Sequence, residues 1–579
     1  CGNYIYGGYN NKTGADIEFG SFSSAYGSGV ITVVSEVLQP LSDSFYDINI
    51  VNNKIQGYSY TTTGGIINFY VLYTTIPFVS GSNLNISNNS IDSIICKSVN
   101  GSTYAISANV SAGPISANIS NNSITNFVVE GSTNSSIYGI LAAGGSDDSL
   151  VNILNNIVSI TAPVSAPISA SSYGISSSNL KFCAIKNNSI SVYDGGVTNS
   201  YTIGIRNNGS ESCDITNNST EDSKIGISSR SNNSCSIVGN KITALSCGIE
   251  LNAANNNSVI GNDVKVYELF DISSGTVGSA GIYVLNCIDL VINNCNVLLT
   301  DSGSIGDMNS CIYVSSNCKG FSISNCSLLM DSESLASIGI DNSNIIVGED
   351  CLYFSINNCV CRLGFNNATG LGHQVRNITI RSGCQHFTIN GCDLVLGGDS
   401  VANISYTCAC LWVNHLNTAP VGNYKVCGCT TKIVFSGTVD SNCYQAIFDY
   451  PDGVCSISNN TFDNTKAGGV FASGINGVKI NGWVVSNYRV MFDSNVIHGS
   501  NDDSGVVAEL EIVNGLDPAP PAKPTRLITC TNNFISLNPV GGVSVGRFPK
   551  IIKTSGTTAN SNYMDEYLIT SGSYVLNTF

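Results

Sequence analysis

Along most of the chain apolar residues alternate with polar ones, the period-two signature of strands with one buried face, and the 3.6-residue spacing of an amphipathic helix is absent. One phrase recurs: an aliphatic residue, a variable residue, a pair drawn from Asn, Gly or Cys, a polar residue and a second aliphatic residue. It reads Ile50-Val-Asn-Asn53-Lys-Ile55, Ile86-Ser-Asn-Asn89-Ser-Ile91, Ile119-Ser-Asn-Asn122-Ser-Ile124, Ile185-Lys-Asn-Asn188-Ser-Ile190 and Ile237-Val-Gly-Asn240-Lys-Ile242, and later Ile323-Ser-Asn-Cys326-Ser-Leu328 and Ile389-Asn-Gly-Cys392-Asp-Leu394. The second residue of each pair marks a register: Asn53, Asn89, Asn122, Asn156, Asn188, Asn218, Asn240, Asn262, Cys295, Cys326, Cys359, Cys392, Cys429, Asn460, Asn495 and Asn533, with steps of 22 to 38 residues and a mean of 32. A second phrase, a small residue then an aliphatic one, precedes many markers, as in Gly174-Ile175, Gly204-Ile205, Gly226-Ile227, Gly248-Ile249, Gly281-Ile282 and Ala446-Ile447. In these six the aliphatic residue stands 13 residues before the marker. One half of each repeat is therefore fixed in length, and the other half carries the insertions.

Short strands punctuated by Asn and Gly at this period predict a solenoid, in which each coil covers the apolar face of its neighbour. About sixteen coils at roughly 4.8 Å per parallel strand would make a rod of about 75–80 Å. The corner positions read as structural: Asn and Gly tolerate left-handed backbone angles, and stacked Asn amides can hydrogen-bond from coil to coil. On these phrases, over roughly residues 45 to 540, the chain resembles the right-handed parallel β-helix superfamily, the pectate-lyase-like fold with its asparagine ladder. The resemblance implies an all-β, single-stranded right-handed parallel β-helix of about 16 coils. It leaves activity open, because that superfamily holds lyases, hydrolases, viral tailspikes, adhesins and structural surface proteins.

Three segments follow. Residues 1–44, rich in Gly, Tyr and Ser, are expected to cap the first coil, and 45–513 form the β-helix. Residues 514–579 contain the Pro-rich run Asp517–Pro524, a last coil and a C-terminal β segment for capping or assembly. Cys1-Gly2-Asn3 looks like the processed N-terminus of a bacterial lipoprotein, which makes Cys1 a candidate lipid anchor, beside the plainer reading that the chain simply starts there.

Composition narrows the classes. Only 11% of residues are charged, 24 basic residues face 40 acidic ones for a net charge of -16, and no apolar run reaches the roughly 18 residues of a membrane helix. Nucleic-acid binding and a transmembrane segment are therefore not expected. The 23 cysteines fall in columns. Cys183, Cys213, Cys235 and Cys455 stand five residues before a marker, and Cys287, Cys318, Cys351 and Cys384 stand eight before one. Stacked neighbours would lie within disulfide reach, so the second set is a candidate disulfide column, with buried free thiols as the equal alternative and a metal array as the weakest.

Acid/base chemistry is poorly supported. The best concentration is Glu349 to His386, which holds Asp350, Arg362, His373, Arg376, Arg381 and His386. Of these, Arg376, Arg381, His373, His386 and Asp350 are the weak catalytic candidates, set against a reading as solvated outer loops. No cofactor or metal is expected; Ca²⁺ would enter only with lyase-like chemistry. Asn11, Asn109, Asn134, Asn208, Asn367, Asn377 and Asn403 head N-x-[ST] triplets that could carry glycans, whereas Asn88 and Asn121 are expected to be buried at corners. The first functional expectation is an extracellular structural or adhesive surface protein that self-associates into a layer, fibre or tube. The alternative is a β-helix that binds or cleaves polysaccharide, with surface glycans as partners.

Overall fold

The computed structural model describes most of residues 47–498, with gaps at 58, 62–67, 76–82, 98–100, 111–114, 131–135, 145–148, 163–170, 194–200, 268–277, 302–307, 333–340, 369–373, 402–407, 415–418, 436–437, 440–442, 464–469, 472–474 and 482–487; outside that span it describes 4–6, 28–34, 510–514, 526–531, 533–536, 550–553 and 563–564. Among the described residues the chain is all-β and its inter-coil strand pairs are parallel, so the protein is a parallel β-helix. The residues group into two compact units, Cys1–Lys265 and Val266–Phe579, which are described in turn.

In the first unit each coil supplies three strands. The first ends at the corner pair, as in Asn83–Ser87, Ser116–Ser120, Leu150–Leu154 and Phe182–Lys186, which pair residue for residue. The second follows the corner, as in Ser90–Lys97 and Ser123–Val129, and the third carries the small-Ile phrase, as in Thr103–Val110, Ile137–Gly144 and Ser171–Ser178. Where the coil is shortest, 22 residues from Asn218 to Asn240, the second and third strands fuse into one, Ser219–Arg230. The insertions of the longer coils therefore lie between the second and third strands. Inward positions stack into aliphatic columns: Ile86, Ile119, Ile153, Ile185 and Ile215 form one, and Ile106, Ile140, Ile175, Ile205, Ile227 and Ile249 another, all fully buried. The glycine of the small-Ile phrase is required by close approach: a Cβ on Gly174 would lie 2.3 Å from Ile190 Cγ2 and 2.7 Å from the Gly204 carbonyl oxygen.

The corner pair divides its labour. The first member takes the left-handed conformation, with φ of 56° at Asn88, 54° at Asn121, 56° at Asn155 and 57° at Asn187. The second turns inward and forms the ladder. Asn122 donates its backbone N–H and its Nδ2 to Asn156 Oδ1 (2.9 and 3.0 Å), and a second Nδ2 hydrogen to the Ile86 carbonyl (2.9 Å). The same three bonds recur at Asn89, Asn156, Asn188, Asn218 and Asn240, and Asn53 sends its backbone N–H and Nδ2 to Asn89 Oδ1. Each buried amide is thus satisfied by the coils on either side. The triplet asparagines Asn88 and Asn121 are the exposed, left-handed members of their pairs, so the expectation that they are buried is corrected; it is their neighbours Asn89 and Asn122 that are inside.

In the second unit thiols replace amides at the corner. Cys295, Cys326, Cys359, Cys392 and Cys429 are buried, with Sγ donating to the carbonyl two residues earlier, at 3.6 Å in Cys295 and 3.3 Å in Cys326, and thiol hydrogen bonds linking successive coils. The amide ladder resumes at Asn460, whose Nδ2 donates to Asn495 Oδ1 (2.9 Å), and Asn495 does the same to Asn533 (3.0 Å). The candidate disulfide column Cys287, Cys318, Cys351 and Cys384 is buried throughout. Neighbouring thiols in it, such as Cys318 and Cys351, are within hydrogen-bond reach of one another. Phe321, Phe354, Phe387 and Tyr424 stack on one another along successive coils, with centroids 4.7, 4.7 and 5.2 Å apart.

Of the expected N-terminal cap, Tyr4–Tyr6 pairs with Lys54–Gln56 and Ser28–Val34 with Phe69–Thr75. Cys1, the run Asp517–Pro524 and residues 565–579 lie outside the described residues.

Replacing Asn156 by Ala removes the acceptor of two Asn122 donors and the donor to the Ile119 carbonyl, so it should lower the unfolding free energy by about 3–5 kcal/mol. Urea titration checks this as a shift in midpoint at constant slope; Asn118→Ala, on the outward half-buried row, is expected to cost less than about 1 kcal/mol. The thiols provide a second check. Thiol neighbours and burial push Cys326, Cys359 and Cys392 up to about 12, whereas Cys427 alone among the cysteines whose burial is described is partly exposed. Iodoacetamide followed by peptide mass mapping should label Cys427 in the native state, and the column cysteines only after unfolding.

Candidate functional site

Among the described residues, the outward side of the third strands carries aromatic and cationic side chains in register in both units. In the first unit the residue before the small-Ile phrase is Tyr104, Tyr138 and Tyr173 on three successive coils, and Tyr70, before Val71-Leu72, holds the same register position on the coil preceding them. Their rings stack along the column, with centroids 4.6, 4.8 and 5.0 Å apart and planes 8°, 9° and 24° from parallel. The first three are half-buried and Tyr173 is buried. Burial raises the phenol pKa of Tyr70 and Tyr138 to about 12, so both stay neutral donors at physiological pH. The Arg206 guanidinium caps the column, 5.0 Å from the Tyr173 centroid, with Nη1 donating to the Tyr173 hydroxyl at 3.1 Å.

The equivalent face of the second unit is built from Gln374–Ile380, Cys408–Val413, Cys443–Asp449 and Ile475–Asn481. Here Arg376 is fully buried, its guanidinium 4.6 Å from the Trp412 ring centroid. Trp412 Nε1 donates to Asp449 Oδ2 at 2.9 Å, and Lys479 lies 5.9 Å from the Tyr444 ring. Burial raises the Asp449 carboxyl pKa, opposed by the bonds from Trp412 and Asn481 and by the Lys479 charge. Arg376 is therefore part of a packed cation–aromatic stack.

The other sequence candidates lie elsewhere on the coil. Asp350 and Arg381 belong to one turn on successive coils, where the backbone N–H of Asp350 donates to the Ser382 carbonyl (3.1 Å) and that of Arg381 to Val347 (2.9 Å). Asp350 is exposed with φ 57°, and Arg381 is half-buried. His386 is exposed on the first-strand sheet and stacks on Tyr353, with centroids 5.0 Å apart. His373 lies outside the described residues. Arg376 thus stands on a different sheet from His386, and the five are not gathered into one cleft among the described residues. Nor do the described residues contain a group of three or more His, Cys, Asp or Glu that could hold a metal. Asn377, a candidate glycan acceptor, is fully buried, with Oδ1 accepting from Asn344 Nδ2 at 2.8 Å, and is corrected to a structural residue.

Sequence reasoning passed over the tyrosine column. Its signal was present: an aromatic residue immediately before the small-aliphatic pair in Tyr104-Ala-Ile106, Tyr138-Gly-Ile140 and Tyr173-Gly-Ile175.

No known family profile and no curated protein matches the chain. Solved structures similar to it include the periplasmic alginate epimerase AlgG (8% identity, TM-score 0.22, covering 84% of this chain and 77% of that one). Two others are A-modules of Azotobacter vinelandii mannuronan C-5 epimerases: AlgE6 (8%, 0.29, 73% and 91%) and AlgE4 (9%, 0.22, 76% and 91%). At these identities the likeness concerns the fold alone.

A carboxyl whose folded pKa is raised destabilises the fold as pH rises from its unfolded value, 3.8, through the folded one. Asp449→Asn should therefore raise stability at pH 7 and converge with the wild type below pH 3.8, as read by thermal melts across pH. A loss of stability at pH 7 would contradict the burial argument.

Proposed function

We propose that the protein is an extracellular, polysaccharide-binding β-solenoid that holds its ligand along the outward side of the third strands. The observation that carries this reading is the tyrosine column: four in-register aromatic residues repeating once per coil on a chain of which only 8% is aromatic. A periodic surface suits a periodic ligand. The coil spacing of about 4.8 Å is close to the length of one sugar residue in an extended glycan, so a chain laid along the column meets the same group at each coil. The stacked faces of the rings are used by one another, which leaves ring edges and hydroxyls for a ligand. Individually weak contacts repeated along one polymer add through effective concentration.

Binding, rather than cleavage, is the part of the alternative that these residues favour, because the weak catalytic candidates occupy different parts of the coil. Surface location and adhesion accord with this reading, as does the outward row Asn49, Asn85 and Asn118, whose amides bond to one another at 3.2 and 3.3 Å and present uncharged polar groups.

Affinity electrophoresis in gels containing a panel of soluble polysaccharides tests it. The wild-type protein should be retarded by at least one polymer, Tyr104→Ala should weaken that retardation by about tenfold, and no new reducing ends should appear. Free migration through every polymer, or unchanged retardation of a folded Tyr104→Ala variant, would overturn the reading.

A further inference from the structure

The reading above leaves the chemistry of the polymer open, and the residues at the end of the tyrosine column narrow it. Three successive coils, through Tyr201–Asn208, Ser219–Arg230 and Lys241–Asn252, follow Tyr173; they place Arg206 against its ring and join Tyr201, Ser228, Arg230 and Glu250 into one cluster alongside. Arg206 pairs in register with Ser228, and Ser228 with Glu250, so the three share one outward column. Arg230 is committed to the carboxylate: Nη2 donates to both Glu250 oxygens at 2.9 Å and Nε to Oε2 at 3.2 Å. Ser228 Oγ donates to Glu250 Oε2 at 2.6 Å, and the Tyr201 hydroxyl accepts from Arg230. Glu250 is buried, so this pair is a fixed, internally neutral support.

Arg206 is held differently. It is half-buried, its guanidinium lies on the Tyr173 ring and it donates to that residue's neutral hydroxyl. Its charge also reaches Tyr138, the next ring of the stack. The cluster of Arg206, Arg230 and Glu250 thus carries one net positive charge at the end of the aromatic column, in a chain whose net charge is -16. A guanidinium presents a planar fork of donors that matches a carboxylate, and a charge-assisted bond of this kind is about twice as strong as a neutral one.

We infer that Arg206, backed by Tyr173 and by the Arg230–Glu250 pair, binds a carboxylate substituent of the glycan, so that the ligand is an acidic polysaccharide. The inference rests on the reading of the tyrosine column as the glycan-contacting surface. Arg206 fixes the position of one charged sugar, and the tyrosines take the sugars that follow it along the axis.

The experiment compares polygalacturonate, the same polymer with its carboxyl groups reduced to alcohols, and a neutral glucan, each by affinity electrophoresis at low and moderate salt. Wild-type protein should bind polygalacturonate about tenfold more tightly than the reduced polymer, with salt weakening only the former. Arg206→Gln should remove that preference, bringing the two polymers to equal affinity, and Arg206→Lys should restore part of it, because lysine keeps the charge and loses the fork. Equal wild-type affinity for the two forms, or an undiminished preference in Arg206→Gln, would overturn the acidic-ligand inference while leaving the glycan reading intact. Retardation by none of the three polymers would overturn the inference and count against the reading beneath it. Should Arg206→Gln fail to fold by circular dichroism, the wild-type comparison of the oxidised and reduced polymers decides by itself.

Discussion

The fold depends on what happens at one corner of each coil. A chain that winds back over itself must turn sharply, and a turn places backbone N–H and carbonyl groups where the ladder of parallel strands does not serve them. The Asn pair answers both demands: one residue accepts a left-handed backbone, and the next sends its amide to the coils above and below. Because Oδ1 takes two donors and Nδ2 supplies two, the bonding is complete only when another Asn lies directly over it. Register is thereby imposed on every other position of the coil, including those that face outward.

Register is also what turns ordinary side chains into a surface. A tyrosine before the small-Ile phrase has no special property on one coil; on four coils in line it becomes a stack with a fixed spacing. In the second unit the same position holds Arg376 and Tyr444, and their partners Trp412 and Lys479 come from the neighbouring outward column. The thiol corners show that the geometry outlasts the chemistry. Cys295 to Cys429 occupy the Asn position with weaker donors, in coils that also carry the buried stack of Phe321, Phe354 and Phe387.

Much of the fold was legible because the corner phrase is a local signal with a local cause. Asn53 to Asn262 could be placed in one ladder from spacing alone, and the fixed 13-residue half of the repeat located the insertions between the second and third strands. The thiol state of Cys287 to Cys384 was open, because an in-register spacing near 4.8 Å admits either a bond or a hydrogen bond. The candidate site was less legible. Density of charge along the sequence pointed to Glu349–His386, yet the winding carries Arg376 and His386 to different sheets, while Arg206 and Glu250, 44 residues apart, share one column. Convergence in a solenoid follows the coil register, and linear clustering is a poor guide to it.

The account stands on the corner amides being held by neighbouring coils, and hydrogen exchange reads that directly. The backbone N–H groups of Asn89, Asn122, Asn156 and Asn188, each donated to the side chain one coil on, should exchange only through global unfolding, as slowly as the most protected strand amides of the first unit. Exchange at those four positions on the timescale of an exposed turn would contradict the ladder, and with it the register from which the outward columns are built.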